Sequence, residues 1–178
     1  MEKTKQRLAI AIEEIMQTKP LEKITIQEIC DHSFLTRQTF YHHFKDKYDL
    51  VNWIFDCLFE DTFYKIGIHS SWRTNIEIFL GELKANKVFY SNAYNYMGQN
   101  SLEHHHYQRV YDFYLEFSQN AKKEQLTPDE DFCLELYCRG AVFMVANWGR
   151  HGMKESPVYL TELFRISMPE NIMKYLIV

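Results

Sequence analysis

The stretch TIQEICDHSFLTRQTFYHHFKDKYDLVNWI, Thr25 to Ile54, places three helix starts in quick succession. Thr25-Ile26-Gln27-Glu28 is a capping box, in which the threonine hydroxyl and the glutamate carboxylate satisfy each other's orphan amides. It opens a short helix through about Asp31. Thr36 caps another that runs to about Phe44, and Asp46 caps a long one through about Ile66. Upstream, Lys3 to about Thr18 carries Leu8, Ala11, Ile12, Ile15 and Met16 on one side, and Lys19-Pro20 ends it because a proline forces its predecessor out of helical geometry. Three short helices followed by a long one is a distinctive order.

The apolar positions fix which way the short helices face. Ile26, Ile29 and Cys30 form the inner side of the second helix, and Phe40 with Phe44 that of the third, with Leu35 closing the turn. Helices this short are not stable alone and must pack on the first and fourth. With Phe40 inward, about 100° per residue puts Gln38 and His42 outward, flanked by Thr39 and Tyr41, while Arg37 reaches out from the first turn. Arg and Gln make bidentate contacts to base edges, and Thr, Tyr and His donate to phosphates. Asp46-Lys47 adds helix-start amides and an ammonium suited to a phosphate.

The run TFYHHFKDKYDL closely resembles the signature of the TetR family of regulators, Thr-Phe/Leu-Tyr-x-His-Phe-x-x-Lys-x-x-Leu, through Thr39, Phe40, Tyr41, His43, Phe44, Lys47 and Leu50. The resemblance covers roughly the first third of the chain. It implies that Thr39, Tyr41, His43 and Lys47 contact phosphates and that Arg37, Gln38 and His42 read or face the groove. It also implies that Thr25 offers its backbone amide to a phosphate. Ser33-Phe34 departs from the pattern, standing where these proteins carry a small residue or glycine. The run Tyr48 to Phe55 is similar to activators of dihydroxyacetone kinase operons, whose effector is a partner protein.

The remainder continues in the same helical register. Four prolines, six glycines and almost no period-2 alternation give an all-α chain, with helices expected near Trp72–Asn86, Lys87–Met97, Ser101–Lys123, Thr127–Trp148 and from Ser156-Pro157 to a break at Pro169. Residues 1–46 are expected to form the helix-turn-helix DNA-binding head. Residues 47–178 are expected to form a helical ligand-binding and dimerisation bundle. The formal charge is −4, but residues 1–47 hold eight Lys/Arg against seven Asp/Glu, net +1, and the rest twelve against seventeen, net −5. That asymmetry is compatible with nucleic acid at the N-terminal end.

Two further faces follow from the bundle that the family resemblance implies. Tyr137, Gly140, Ala141, Met144, Val145 and Trp148 recur at helical spacing, with Leu163 on the last long helix, and are the expected homodimer surface. Aromatics make up 16% of the chain, and Trp53, Phe59, Phe63, Phe89, Tyr94, Tyr107 and Tyr111 stand either for an effector pocket or for packed core. His104-His105-His106 is expected to be a solvated face, since adjacent helical residues diverge by about 100° and cannot share one ion.

Cys30, Cys57, Cys133 and Cys138 have no metal-type spacing and are expected to be reduced core residues of a cytosolic protein. The Met1 segment lacks the apolar stretch of a signal peptide. No nucleophile–base pair, phosphate loop or paired-ligand motif points to an enzyme, a metal or a cofactor. The expected partners are operator DNA, a second copy of the chain and a small-molecule or protein effector, with no membrane. The alternative from another class is a helical interaction adaptor whose head has lost DNA binding.

Overall fold

The computed structural model describes residues 2–176, and among these it contains helices and no strand beyond one isolated bridge between Ile66 and Ser70. The order is α1 (Glu2–Met16), a single 3-10 turn (Leu21–Lys23), α2 (Ile26–Ser33), α3 (Arg37–His43), α4 (Lys47–Phe63), α5 (Trp72–Ala85), α6 (Lys87–Asn95), α7 (Leu102–Lys122), α8 (Pro128–Arg150), α9 (Pro157–Ser167) and α10 (Glu170–Leu176). The starts follow the local chemistry. Thr25, Thr36, Asp46, Ser71, Ser101, Thr127 and Ser156 each accept the amide three residues on. Both full capping boxes, Thr25 with Glu28 and Thr127 with Glu130, form.

The head packs α1 against α2 and α4, and α2 against α3. Leu8, Ile12, Met16, Ile24, Ile29, Phe40 and Leu50 are sealed inside it. In the body, α7 lies along α8, α5 along α9, and α6 against α8, while α4 runs from the head onto α5 and α7. Gly149 lets α8 approach α6 closely: a Cβ there would stand 2.8 Å from the ring of Tyr94 on α6.

The seam between α4 and the α6–α7 region is polar as well as apolar. Tyr48 stacks on Tyr96 with ring centroids 4.0 Å apart and planes at 10°. Asn52 donates to the carbonyl of Asn100 at 3.2 Å, and Asn100 donates to Asp46 at 3.3 Å. On the other flank, Asp56 of α4 accepts from His105 and pairs with Arg109 of α7.

Two expectations change here. His106 is not part of a solvated face. It is 2% exposed, its Nδ1 lies 3.0 Å from the Tyr94 hydroxyl, and the Phe55 and Phe79 rings flank it. Burial, with His105 adding to it, pushes its pKa down to about 3, so it is a neutral core imidazole. His105 is half-buried against Asp56, and only His104 faces solvent. Three consecutive histidines necessarily sample three directions, and α7 turns one of them inward. Of the cysteines, Cys30 and Cys138 are buried as expected, but Cys133 is only partly covered and Cys57 lies at the surface on the outer side of α4.

Candidate nucleic-acid interface

Phe40 anchors α3: it is fully buried, with the edge of Tyr41 and the tilted ring of Phe44 against it. The opposite side is open. Arg37, Gln38, Tyr41 and His42 are exposed, and Thr39 and His43 are half-buried beside them. The Arg37 guanidinium lies 6.0 Å from the Tyr41 ring, a cation–π approach that leaves its donors outward. Thr36 caps the helix through Thr39 N–H at 3.1 Å, and the two hydroxyls meet at 2.9 Å. Desolvation, with His42 and Lys5 nearby, lowers the His43 pKa, favouring a neutral imidazole.

The turn before α3 explains the family's preference for glycine. Phe34 closes α2 in the left-handed region, φ 53°, where an L side chain is disfavoured. Its ring finds no compensating cover and is 87% exposed. The turn is held instead by Arg7, which donates to the carbonyl of Ser33 at 2.6 Å, and by Leu35 N–H, which donates to Cys30 at 2.9 Å.

Two groups that the family resemblance assigned to phosphates have partners inside the chain. The Thr25 amide donates to Glu28 Oε2 at 2.8 Å within the capping box. That carboxylate also takes the Lys19 ammonium, and this bond, followed by those from Thr25, lowers its pKa to about 2. Lys47 turns back from α4: its Nζ donates to the carbonyls of Glu22 at 2.8 Å and Ile24 at 2.7 Å. Desolvation lowers its pKa from the ordinary lysine value. An inward-bonded ammonium depends on the loop that α4 meets, which residue spacing does not reveal. Lys45 is also exposed, just past the Phe44 cap of α3, and its place in the chain is a signal readable in the sequence.

In the body, the seven aromatics set aside for an effector are not gathered around one space. Trp53 faces the head, against Phe44 and under Lys5. Phe59 stacks on Phe63 at 4.0 Å, Phe89 meets Tyr90 edge-on, and Tyr94 binds His106. Tyr107 and Tyr111 stack on each other and donate to Glu135 and Asp131 of α8. A cavity of about 40 Å³ lies among Trp72, Phe79, His106, Tyr114 and Tyr137, and Phe63 alone of the seven lines it.

The expected dimer residues divide between two sides of α8. Tyr137, Val145 and Trp148 are buried within the protomer, Ala141 and Leu163 are half-covered, and Gly140 and Met144 face out. The outward row continues through Phe132, Leu136 and Phe143, and α9 adds Val158, Tyr159 and Ile166. Between α8 and α9 runs an apolar groove of about 510 Å³ floored by Gly140 and Ala141 and walled by Leu160, Leu163 and Phe164. Among the described residues no helix is long and apolar enough to cross a membrane, and no group of side chains is arranged to hold a metal ion.

Known proteins resemble the chain in sequence and in fold. The HTH-type dhaKLM operon transcriptional activator DhaS of Lactococcus lactis subsp. lactis is 26% identical over 91 residues, a match spanning 51% of this chain and 49% of that protein's length. The solved structure of a dihydroxyacetone kinase operon activator DhaS superposes over 97% of this chain and 98% of its own, with a TM-score of 0.67 at 20% identity. Salmonella enterica GusR shares the fold over 93% of this chain and 95% of its own, with a TM-score of 0.50 at 15% identity. Residues 70–170 match the family described as a transcriptional regulator C-terminal region, and residues 10–54 match that of bacterial regulatory proteins, tetR family. An anchored, outward-facing α3 on a helical body is therefore not an isolated coincidence of pattern, and the chain belongs to the TetR family of bacterial transcriptional regulators.

Proposed function

We propose that two copies of this chain grip a palindromic operator, each laying α3 in a major groove, and that an effector controls the spacing of the two heads. The observation that carries the reading is the outer side of α3. Arg37, Gln38, Tyr41 and His42 stand exposed on a helix whose other side is pinned by Phe40. Arg37 and Gln38 are assigned to base edges, and Thr39, Tyr41, His43 and Lys45 to the flanking phosphates. Domain limits of 1–46 for the head and 47–178 for the body fit this division, with residues 177 and 178 outside the described ones.

Pairing of the copies is assigned to the outward row of α8 and its neighbours on α9. Phe132 at 66% and Leu136 at 63% exposure are the largest apolar losses on that side, and a patch of this kind marks a protein interface. Two linked heads strengthen binding to two half-sites without any new contact in either.

The effector acts only through its differential affinity for the two head spacings. The cavity of about 40 Å³ beside Trp72, Phe79 and His106 has room for little more than water, which favours a partner protein, or a ligand outside the bundle centre, over a small molecule held within it. The relatives whose names describe activators of a dihydroxyacetone kinase operon favour activation as the outcome.

Selection from a random duplex pool, read by anisotropy across a salt series, tests the proposal. Enrichment of a palindrome bound by two copies supports it. Weak binding without sequence preference, vanishing at physiological salt, would remove it. On the selected site, Gln38→Ala should relax the preference at one base step by about 1–3 kcal/mol and leave the others alone.

A further inference from the structure

The connection between α1 and α2 is suspended from two side chains that belong to neither helix. α1 ends at Met16, and its last carbonyls have no partner within the helix. Asn92 of α6 supplies one: its Nδ2 donates to the carbonyls of Met16 at 3.1 Å and Lys19 at 2.7 Å. The Oδ1 of the same carboxamide accepts the Leu21 amide at 2.8 Å. Lys47 of α4 in turn holds the carbonyls of Glu22 and Ile24, the last before the capping threonine of α2. Five backbone groups between residues 16 and 24 are thus fixed by one amide from the body and one ammonium from the fourth helix.

We propose that Asn92 and Lys47 are positioning residues for operator recognition: together they set where α2 begins, and through α2 the placement of α3. The inference rests on the reading of α3 as the recognition helix, and it departs from the phosphate contact that the family resemblance assigns to Lys47. A lysine that hands two of its three N–H donors to backbone carbonyls keeps a single donor for a phosphate. Asn92 lies on a body helix, so any effect it has on recognition travels through residues 16–24. The suspension also links α6 to the head independently of the Tyr48–Tyr96 stack.

The test uses the full-length chain carrying Asn92→Ala, Lys47→Met or Lys47→Arg, and the operator obtained by selection. Asn92→Ala and Lys47→Met should each lower specific affinity about tenfold. Non-specific affinity and the slope of log K against log salt should be unchanged. Lys47→Arg, which can donate to both carbonyls, should restore binding. In the free protein, amide exchange at Leu21 and through residue 25 should quicken in Asn92→Ala and Lys47→Met.

A slope shallower by about 0.9 in Lys47→Met, with exchange unchanged, would make Lys47 a phosphate contact and overturn the assignment. Lower thermal stability with specific affinity intact in both variants would reduce both residues to structural roles and overturn it equally. If the wild-type chain selects no operator, the recognition reading fails and the positioning role fails with it, while unaltered exchange at Leu21 would refute the suspension separately.

Discussion

The head and the body are built from the same kind of helix but held together by different means. The body is a lattice of rings: Phe59 lies on Phe63, and both meet Phe113 edge-on, with Phe79 and Tyr114 continuing the contacts. The head has fewer rings, and side chains bonded to the backbone define its connections: Arg7 at the α2–α3 turn, Lys47 and Asn92 at the α1–α2 connection, Glu28 at the start of α2. Ring packing supplies stability in bulk and tolerates small shifts. Hydrogen bonds to named carbonyls supply little net energy each but fix direction. Under the proposed function, a surface that reads base edges would need the second kind of order, while a body serving pairing and control could rely on the first.

The sharpest way to break this contrast is to remove one ring from the lattice. Phe59→Ala should cost about 3–5 kcal/mol of folding stability, since it empties a fully buried site between Phe55, Phe63 and Phe113. Chemical denaturation checks it. A loss under 1 kcal/mol would show that the body does not depend on its rings.

Next in size is Leu136→Glu on the outer row of α8. The protomer should stay folded, as circular dichroism reports, while sedimentation shows single chains and operator affinity falls by about a hundredfold through loss of the second half-site. Retained dimers would move the pairing surface elsewhere.

A smaller effect compares the two capping boxes directly. Glu28 and Glu130 both have carboxyls lowered to about 2, by Lys19 and Lys122 first and by their capping threonines next. A lowered carboxyl contributes stability above its ordinary pKa and loses it as pH falls toward the folded value. Both contributions are therefore intact above about pH 4.5 and lost on the way down to about 2. Glu28→Gln should blunt the acid sensitivity of amide exchange in the head, and Glu130→Gln that at the start of α8. An unchanged acid profile in either would mean that its box is not maintained in solution.

Smallest is Phe34→Gly. Glycine takes the left-handed turn without strain, and the ring it replaces is almost bare, so stability should rise by up to about 1 kcal/mol in a thermal melt. A fall would show that Phe34 packs on something in solution.

The same contrast governs what could be seen in advance. Helix starts were legible because a cap is a local event, and Thr25, Thr36, Asp46 and Thr127 open helices as their spacing implied. The outward side of α3 followed from Phe40 alone. The α8 surface was harder, because Tyr137, Ala141 and Val145 line one side and Leu136, Gly140 and Met144 the next, so both rows are apolar and periodicity cannot say which is inside. His106, Lys47 and Asn92 were hidden for a different reason. Each is defined by a partner far along the chain, and no spacing within one helix encodes that partner.

The stacked phenols of Tyr48 and Tyr96 give the molecule an optical property of its own. Two rings held at this separation and nearly parallel should have coupled electronic transitions, so a near-ultraviolet dichroism band from the seam between α4 and the α6–α7 loop is expected. Burial, with the Tyr96 contact adding to it, pushes the Tyr48 hydroxyl up to about 12. Under the proposed control, an effector that moves α4 relative to the α6–α7 loop would separate the pair. The native chain would then report that movement without a label.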